Sequence, residues 1–162
     1  MSDQGETPVV YVDADGCPVK DEVARVAARF GWPAYFVSGR PTRLPSDPVV
    51  RAVVVGGAFD AADDWIAERA GPGTVVVTAD IALAARCVEK GAWVLGPKGN
   101  LYTPLNIGEA LARRELNDQL RQMGLQGGGP APFEKADRSR FLQKLDEVLH
   151  AVRRGLASPP AR

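Results

Sequence analysis

Residues 9–18 read VVYVDADGCP. Val9, Val10, Tyr11 and Val12 run without a polar interruption into two aspartates, Asp13 and Asp15, with one alanine between them. An unbroken apolar run is what a strand buried on both faces requires, whereas a half-exposed strand alternates. Residues 8–12 therefore predict a buried first strand. Two positions apart on an extended chain, Asp13 and Asp15 project to the same side. Like charges held that close raise one another's pKa and give the fold nothing in return. The acidic end of the strand calls for a positive species to meet it.

The same grammar repeats outward. From Pro18, residues Val19, Val23, Val26 and Phe30 recur at helical spacing until Gly31 and Pro33. Ala34 to Val37 make a second strand, SGRPTRLPSDP a loop too poor in apolar residues for a core, and Val49 to Val55 a third strand ending at Gly56-Gly57. A helix over 60–70 uses Trp65, Ile66 and Ala70 and closes at Gly71-Pro72-Gly73. TVVVT (74–78) reads as the fourth strand and Ile81 to Gly91 as a helix, with Ala92 to Leu95 as the fifth strand. Strands alternating with helices predict an α/β fold, a parallel sheet covered on both faces.

Beyond residue 96 the pattern is helical only. One helix is predicted over 104–123 and another over 134–154, with the stripe Phe141, Leu145, Val148 and Val152. The Gly/Pro-rich stretch 124–132, GLQGGGPAP, reads as a hinge between them. This gives a single domain over 8–154, an α/β core at 8–95 and a C-terminal helical part at 96–154. Residues 1–7 and 155–162 are left as tails, and the LASPPAR end is expected to fray.

Composition narrows the class. The 162 residues are 45% hydrophobic and 25% charged, the profile of an ordinary globular domain. No apolar run approaches the roughly 20 residues that cross a bilayer. The polar start MSDQGETP lacks the basic and apolar regions of a signal peptide, so the expected compartment is the cytoplasm. Two cysteines, Cys17 and Cys87, and one histidine, His150, give neither a disulfide framework nor zinc-ligand spacing. Net charge is zero but divided: residues 1–95 hold 9 Lys/Arg against 13 Asp/Glu, and residues 96–162 hold 11 against 7. Such a split suits a polyanionic substrate held by the basic part while chemistry happens at the acidic part. The sequence pI near 6.6 argues against a non-specific coat on nucleic acid.

Functional groups of a doubly wound sheet collect at the carboxyl ends of its strands. Asp13 and Asp15 end the first strand; Asp60, Asp63 and Asp64 open the helix after the third; Asp80 follows the fourth. A bland account exists for some of them. Asp60 and Asp80 stand where helix N-caps stand, and Asp63 and Asp64 suit a helix's first turn. Capping does not explain the Asp13/Asp15 pair. A divalent cation with a taste for hard oxygen ligands, Mg²⁺ or Mn²⁺, removes the conflict, and phosphodiester hydrolysis is its natural reaction. Candidate phosphate-gripping cations are Arg40 and Arg43 in the proline-rich loop, Lys98 in PKGNLYT, and Arg138 with Arg140. Thr78 is a candidate for orienting a water or a ligand, and Tyr102 for stacking on a base. Cys17, with no histidine nearby, reads as a small buried residue rather than a nucleophile, and His150 as a surface or packing residue. Gly56-Gly57 is no dinucleotide fingerprint.

The motifs VDADGCPVKDE, RLP, GAFDAADDWI, VVVTADIALAARCVEKGAWVLGPKGNLYT, GGP and DRSRF closely resemble the uncharacterised bacterial YaiI/YqxD family, from about residue 9 to residue 150. Residues 8–95 also resemble the wider PIN-domain superfamily of metal-dependent nucleases. The shared pattern is an Asp ending the first strand, Asp63 with Ile66 three residues on, and Thr78-x-Asp80 closing a later strand. The resemblance implies a three-layer α/β/α fold with strand order 3-2-1-4-5. It also implies Asp13, Asp15, Asp63 and Asp80 as metal-binding and catalytic residues, Asp60 behind them, and RNA as the favoured substrate. Many PIN nucleases carry a further acid on an early helix, for which Glu22 is the nearest candidate, while GGP and DRSRF lie outside the nuclease pattern. Two rival readings remain at this level. One is a haloacid-dehalogenase-like phosphatase with Asp13 as nucleophile and Asp15 as general acid, supported by Thr78 and Lys98, although Cys17-Pro18 departs from that motif. The other is a non-catalytic RNA- or protein-binding module on the same fold.

Overall fold

In the computed structural model, which describes residues 8–125 and 131–160, the first strand lies in the middle of the sheet. The strands are β1 (Val9–Asp13), β2 (Ala34–Ser38), β3 (Val50–Val54), β4 (Thr74–Val77), β5 (Trp93–Leu95) and β6 (Leu101–Tyr102). Their order is β3-β2-β1-β4-β5-β6. The first five run parallel, and β6 adds an antiparallel edge to β5. The predicted five-strand order is thus present, with one strand more. Two residues carry no periodicity, which is why β6 left no signal in the sequence.

Five helices complete the chain: α1 (Lys20–Phe30), α2 (Ala61–Arg69), α3 (Ile81–Glu89), α4 (Ile107–Gln122) and α5 (Lys135–Arg153). Side chains alternate between the two faces of the sheet. Val10, Val12, Phe36, Val75, Val77 and Leu95 belong to a core shared with α1 and α5. Tyr11, Tyr35, Val37, Val76 and Val94 belong to one shared with α2 and α3. Of the three helices among the first 95 residues, only α1 lies on the first face. The part of that face around β5 is covered by α5, which packs beside α1 and against β5. Phe141, Leu145 and Leu149 are fully enclosed there, each burial favouring the fold by about 2 kcal/mol.

Two polar contacts fix α5 in place. Arg138 Nη1 donates to Glu22 Oε2 of α1 at 2.8 Å, and its guanidinium lies 4.9 Å from the Phe133 ring centre. Glu22 is 5% exposed, and its other oxygen, Oε1, is buried with no partner among the described residues. Gly99 (φ +92°) brings the 96–100 loop so close to α5 that a Cβ there would lie 3.0 Å from the Arg140 backbone. Only glycine combines that approach with that φ.

The chain's end departs from expectation. Residues 155–162 were expected as a frayed tail, but 156–159 are tied to the sheet. Trp93 Nε1 donates to Leu156 O at 2.9 Å, Gly73 N to Ala157 O at 2.8 Å, and Ser158 Oγ to Gly91 O at 2.7 Å. Pro159 is buried. These are tertiary bonds to residues 63–84 positions away, which local composition does not encode. The 1–7 tail and most of the 124–132 hinge, with its GGP, lie outside the described residues. No helix among the described residues is long and apolar enough to cross a membrane.

The Glu22–Arg138 pair gives a test of how α5 is held. Arg138→Ala leaves a buried carboxylate without a counter-charge and is expected to cost about 3 kcal/mol in urea denaturation. Adding Glu22→Gln should restore more than half of that loss.

Candidate functional site

β1 is hydrogen-bonded to β2 on one side and β4 on the other, and the chain leaves the two strands in opposite directions. The segments after β1 and β4 diverge to opposite faces and leave a crevice between them, the position where ligands of such sheets bind. Asp13 closes β1 on this rim, paired with Val37. Thr78 stands one residue beyond β4 and is 1% exposed. Its hydroxyl donates to Asp13 Oδ2 at 2.8 Å, and its Oγ1 accepts from Asp80 N at 3.0 Å. One buried hydroxyl therefore holds the carboxylate of β1 and the backbone of Asp80 in fixed relation.

The other acids are tied as well. Asp80 Oδ1 accepts from Ala82 N at 2.9 Å and Leu83 N at 3.2 Å, so Asp80 does cap α3. Asp15 Oδ2 accepts from Gly39 N at 3.0 Å, fastening the loop after β1 to the end of β2. Asp13, Asp15 and Asp80 each spend one oxygen on these bonds, and none of the bonds uses Asp13 Oδ1, Asp15 Oδ1 or Asp80 Oδ2. Asp60 occupies the N-cap position of α2 but makes no side-chain capping bond. Asp64 turns to Arg86 at 3.0 Å.

Charge accumulates here without being relieved. Burial pushes the Asp13 carboxyl above its ordinary value against the pull of the Thr78 hydrogen bond, and the charges of Asp80 and Asp15 add to the rise. Asp63, in the first turn of α2, is pushed up to about 6 by burial and then by Asp80, Asp13 and Asp60. Its carboxyl feels acids from two other segments of the chain. Cys17 is also pushed up, chiefly by burial, which disfavours its thiolate.

A cavity of about 870 Å³ opens over the crevice. Asp13, Asp15 and Asp80 line it together with Arg113, Arg114 and Arg121 of α4, of which Arg113 lies 3.5 Å from Glu109 and Arg121 pairs with Asp118. Asn117, Asn100 and Tyr102 also line it. Positions 110, 113, 114, 117 and 121 share one face of α4, as residues three and four apart on a helix do. Helical spacing in ALARRELNDQLRQ contained this stripe, but not the surface it meets. α4 buries none of its residues and packs mainly on α3.

The cations predicted from sequence lie elsewhere. Lys98 Nζ donates to Ala131 O at 2.8 Å, Arg138 pairs with Glu22, and Arg140 pairs with Asp137. Arg40 and Arg43 line two smaller neighbouring pockets. Tyr102 does reach the main cavity, lying with its ring against Gly96. Thr78 meets Asp13 as a phosphatase site would need, but Lys98 is held by its bond to Ala131 O and does not line the cavity.

Among the described residues, no group of three or more His, Cys, Asp or Glu side chains stands close enough to hold a metal ion. Carboxylates from three segments repel one another here, and Asp13, Asp15 and Asp80 each keep an oxygen not used in the bonds above. The carboxylates share one field without forming a cage.

The class of protein is that of the doubly wound α/β folds, with acids and arginines lining a cavity at the switch point. The chain belongs to the family described as "Uncharacterized BCR, YaiI/YqxD family", which matches residues 11–151. It is 54% identical to a UPF0178 protein of Rhodospirillum centenum over 90% of this chain and 97% of the relative. A UPF0178 protein of Sphingopyxis alaskensis is also 54% identical, over 93% and 98% of the two chains. One from Rhodopseudomonas palustris is 50% identical over 94% and 93%. No solved structure matches.

The raised pKa of Asp63 has a definite sign. Its folded value exceeds its unfolded one, so stability is greatest while the carboxyl is protonated and falls as pH rises from about 4 through about 6. Asp63→Asn should raise stability above pH 6 by on the order of 1 kcal/mol after solvent screening, about 3 °C in Tm. The gain should vanish below pH 4. Thermal melts across that range in EDTA check it.

Proposed function

We propose that this protein is a divalent-metal-dependent phosphodiesterase acting on nucleic acid, with RNA the favoured substrate. One observation carries the reading: the cavity at the sheet's switch point is lined by Asp13, Asp15 and Asp80 together with Arg113, Arg114 and Arg121. Carboxylates alone repel a phosphate, and arginines alone give binding without chemistry. Together, they suit a ligand set of one cation and one phosphodiester. The resemblance of residues 8–95 to PIN-domain nucleases supports the same assignment.

Asp13 and Asp80, with Asp63 and Asp15 beside them, are the residues that would hold Mg²⁺ or Mn²⁺. Such an ion lowers the pKa of a bound water and offsets charge growing on the phosphoryl oxygens. The protein's own groups do the rest. Thr78 fixes the rotamer of Asp13 by donating to Oδ2, leaving Oδ1 turned to other partners. The α4 arginines draw the phosphate in and orient it by charge-assisted hydrogen bonds. Asp60 adds negative charge behind Asp63.

In a cleavage assay with fluorescently labelled RNA and Mn²⁺, Asp13→Asn is expected to lower kcat/KM at least about 100-fold. Asp80→Asn should do the same while keeping the α3 cap, since asparagine caps as well as aspartate. Arg114→Ala is expected to raise KM about tenfold with a smaller change in kcat. Cleavage that survives EDTA, or is indifferent to Asp13→Asn, removes the proposal.

A further inference from the structure

The acidic cavity does not stand alone on its edge of the sheet. Asp15 is shared with a second cavity of about 590 Å³, which Gly39, Arg40, Gly57 and Ala58 also line. Thr42 is shared between that cavity and a third, of about 470 Å³, where Lys20 and Arg43 stand. Three hollows therefore follow one another, from α4 over the ends of β1 and β4 to the 39–48 loop. Positive side chains occur at both ends of the series, with Asp13, Asp15 and Asp80 between them and Asp21 beside Lys20 in the third hollow. Among the described residues, neither Arg40 nor Arg43 has a carboxylate within ion-pair distance.

Phe59 stands on the same rim. It follows Ala58 of the second cavity and is 100% exposed, where Tyr102 and Trp65 are partly buried. Gly56 (φ +45°) and Gly57 (φ +87°) take backbone conformations that carry the chain outward at this turn. A phenyl ring with both faces in water is disfavoured by hydration, and among the described residues nothing packs on this one. Its faces are free for another flat ring.

We propose that the three hollows form a track for a single-stranded nucleic acid, in which Phe59 stacks on a base and Arg40 and Arg43 hold phosphates on the side of Asp15 away from α4. A single strand is specified because stacking on Phe59 needs a base face that a duplex keeps covered. The track rests on the phosphodiesterase reading for its catalytic consequence: a strand gripped on both sides of the acids is cut internally. Binding along the track needs no turnover.

The test is fluorescence anisotropy with the full-length protein in EDTA, using fluorescein-labelled single-stranded RNA and DNA of four and twelve nucleotides and a twelve-base-pair duplex. The twelve-nucleotide strands are expected to bind at least about tenfold more tightly than the four-nucleotide strands or the duplex. Phe59→Ala should weaken the longer strands by about 5- to 100-fold, with Tm unchanged. Arg40→Ala with Arg43→Ala should reduce the salt slope by about 1.4, two phosphates' worth on a single strand. Equal affinity for both lengths, no measurable binding, or indifference to Phe59→Ala overturns the track. Cleavage in Mn²⁺ is scored separately. Length-dependent binding without cleavage retains the track and defeats the hydrolase. Equal cleavage of both lengths, without Phe59 dependence, does the reverse.

Discussion

β1 has a strand on each side and a helical layer on each face, and most of the molecule follows from that confinement. A strand so enclosed accepts no charge along its length, so its polar residues are driven to its ends. Asp13 is the first position at which a carboxylate can occur. Thr78, at the matching position past β4, is buried yet satisfied, because its hydroxyl serves Asp13 and Asp80 together. The same parallel pairing that excludes polar groups from the interior gathers them where the chain's direction across the sheet reverses.

The charge imbalance between the two parts of the sequence acquires a spatial meaning. The basic residues after position 96 do not form a separate appendage. Arg138 neutralises Glu22 at the joint between α1 and α5, while Arg113, Arg114 and Arg121 line the cavity with the acids. One group of cations holds the helical part on the α/β core; of the other, Arg113 and Arg121 pair with Glu109 and Asp118 of α4, and Arg114 has no carboxylate within ion-pair distance among the described residues. Division of labour among the arginines follows from burial: Arg138 meets a carboxylate that is almost fully enclosed, whereas Arg113 and Arg121 meet exposed ones on their own helix.

Much of this could be read from the residues in order. Apolar runs ended by Gly and Pro located the five parallel strands and all five helices, because those signals are local. Asp13, Asp15 and Asp80 could be assigned to one rim because strand ends share an edge whatever the loops do. Lys98 and Arg138 were placed at the site only because they were cations near plausible segments. Their partners, Ala131 O and Glu22, are chosen by tertiary packing across 33 and 116 positions. The α4 arginines had the opposite fate: their common face was legible, but its orientation depends on how α4 leans on α3. The anchoring of 156–159 was hidden for a related reason, since LASPPAR has the composition of a loose end and is held by bonds to distant turns.

The position of α5 in the chain bears on when the protein can become whole. Phe141, Leu145 and Leu149 fill a face of the sheet whose strands were synthesised some fifty or more residues earlier. Until that last helix leaves the ribosome, part of the sheet around β5 has no cover and Trp93 no acceptor for its indole N–H. Completion of this core therefore waits for α5, and a nascent chain stalled before residue 135 presents an apolar surface of the kind that chaperones recognise.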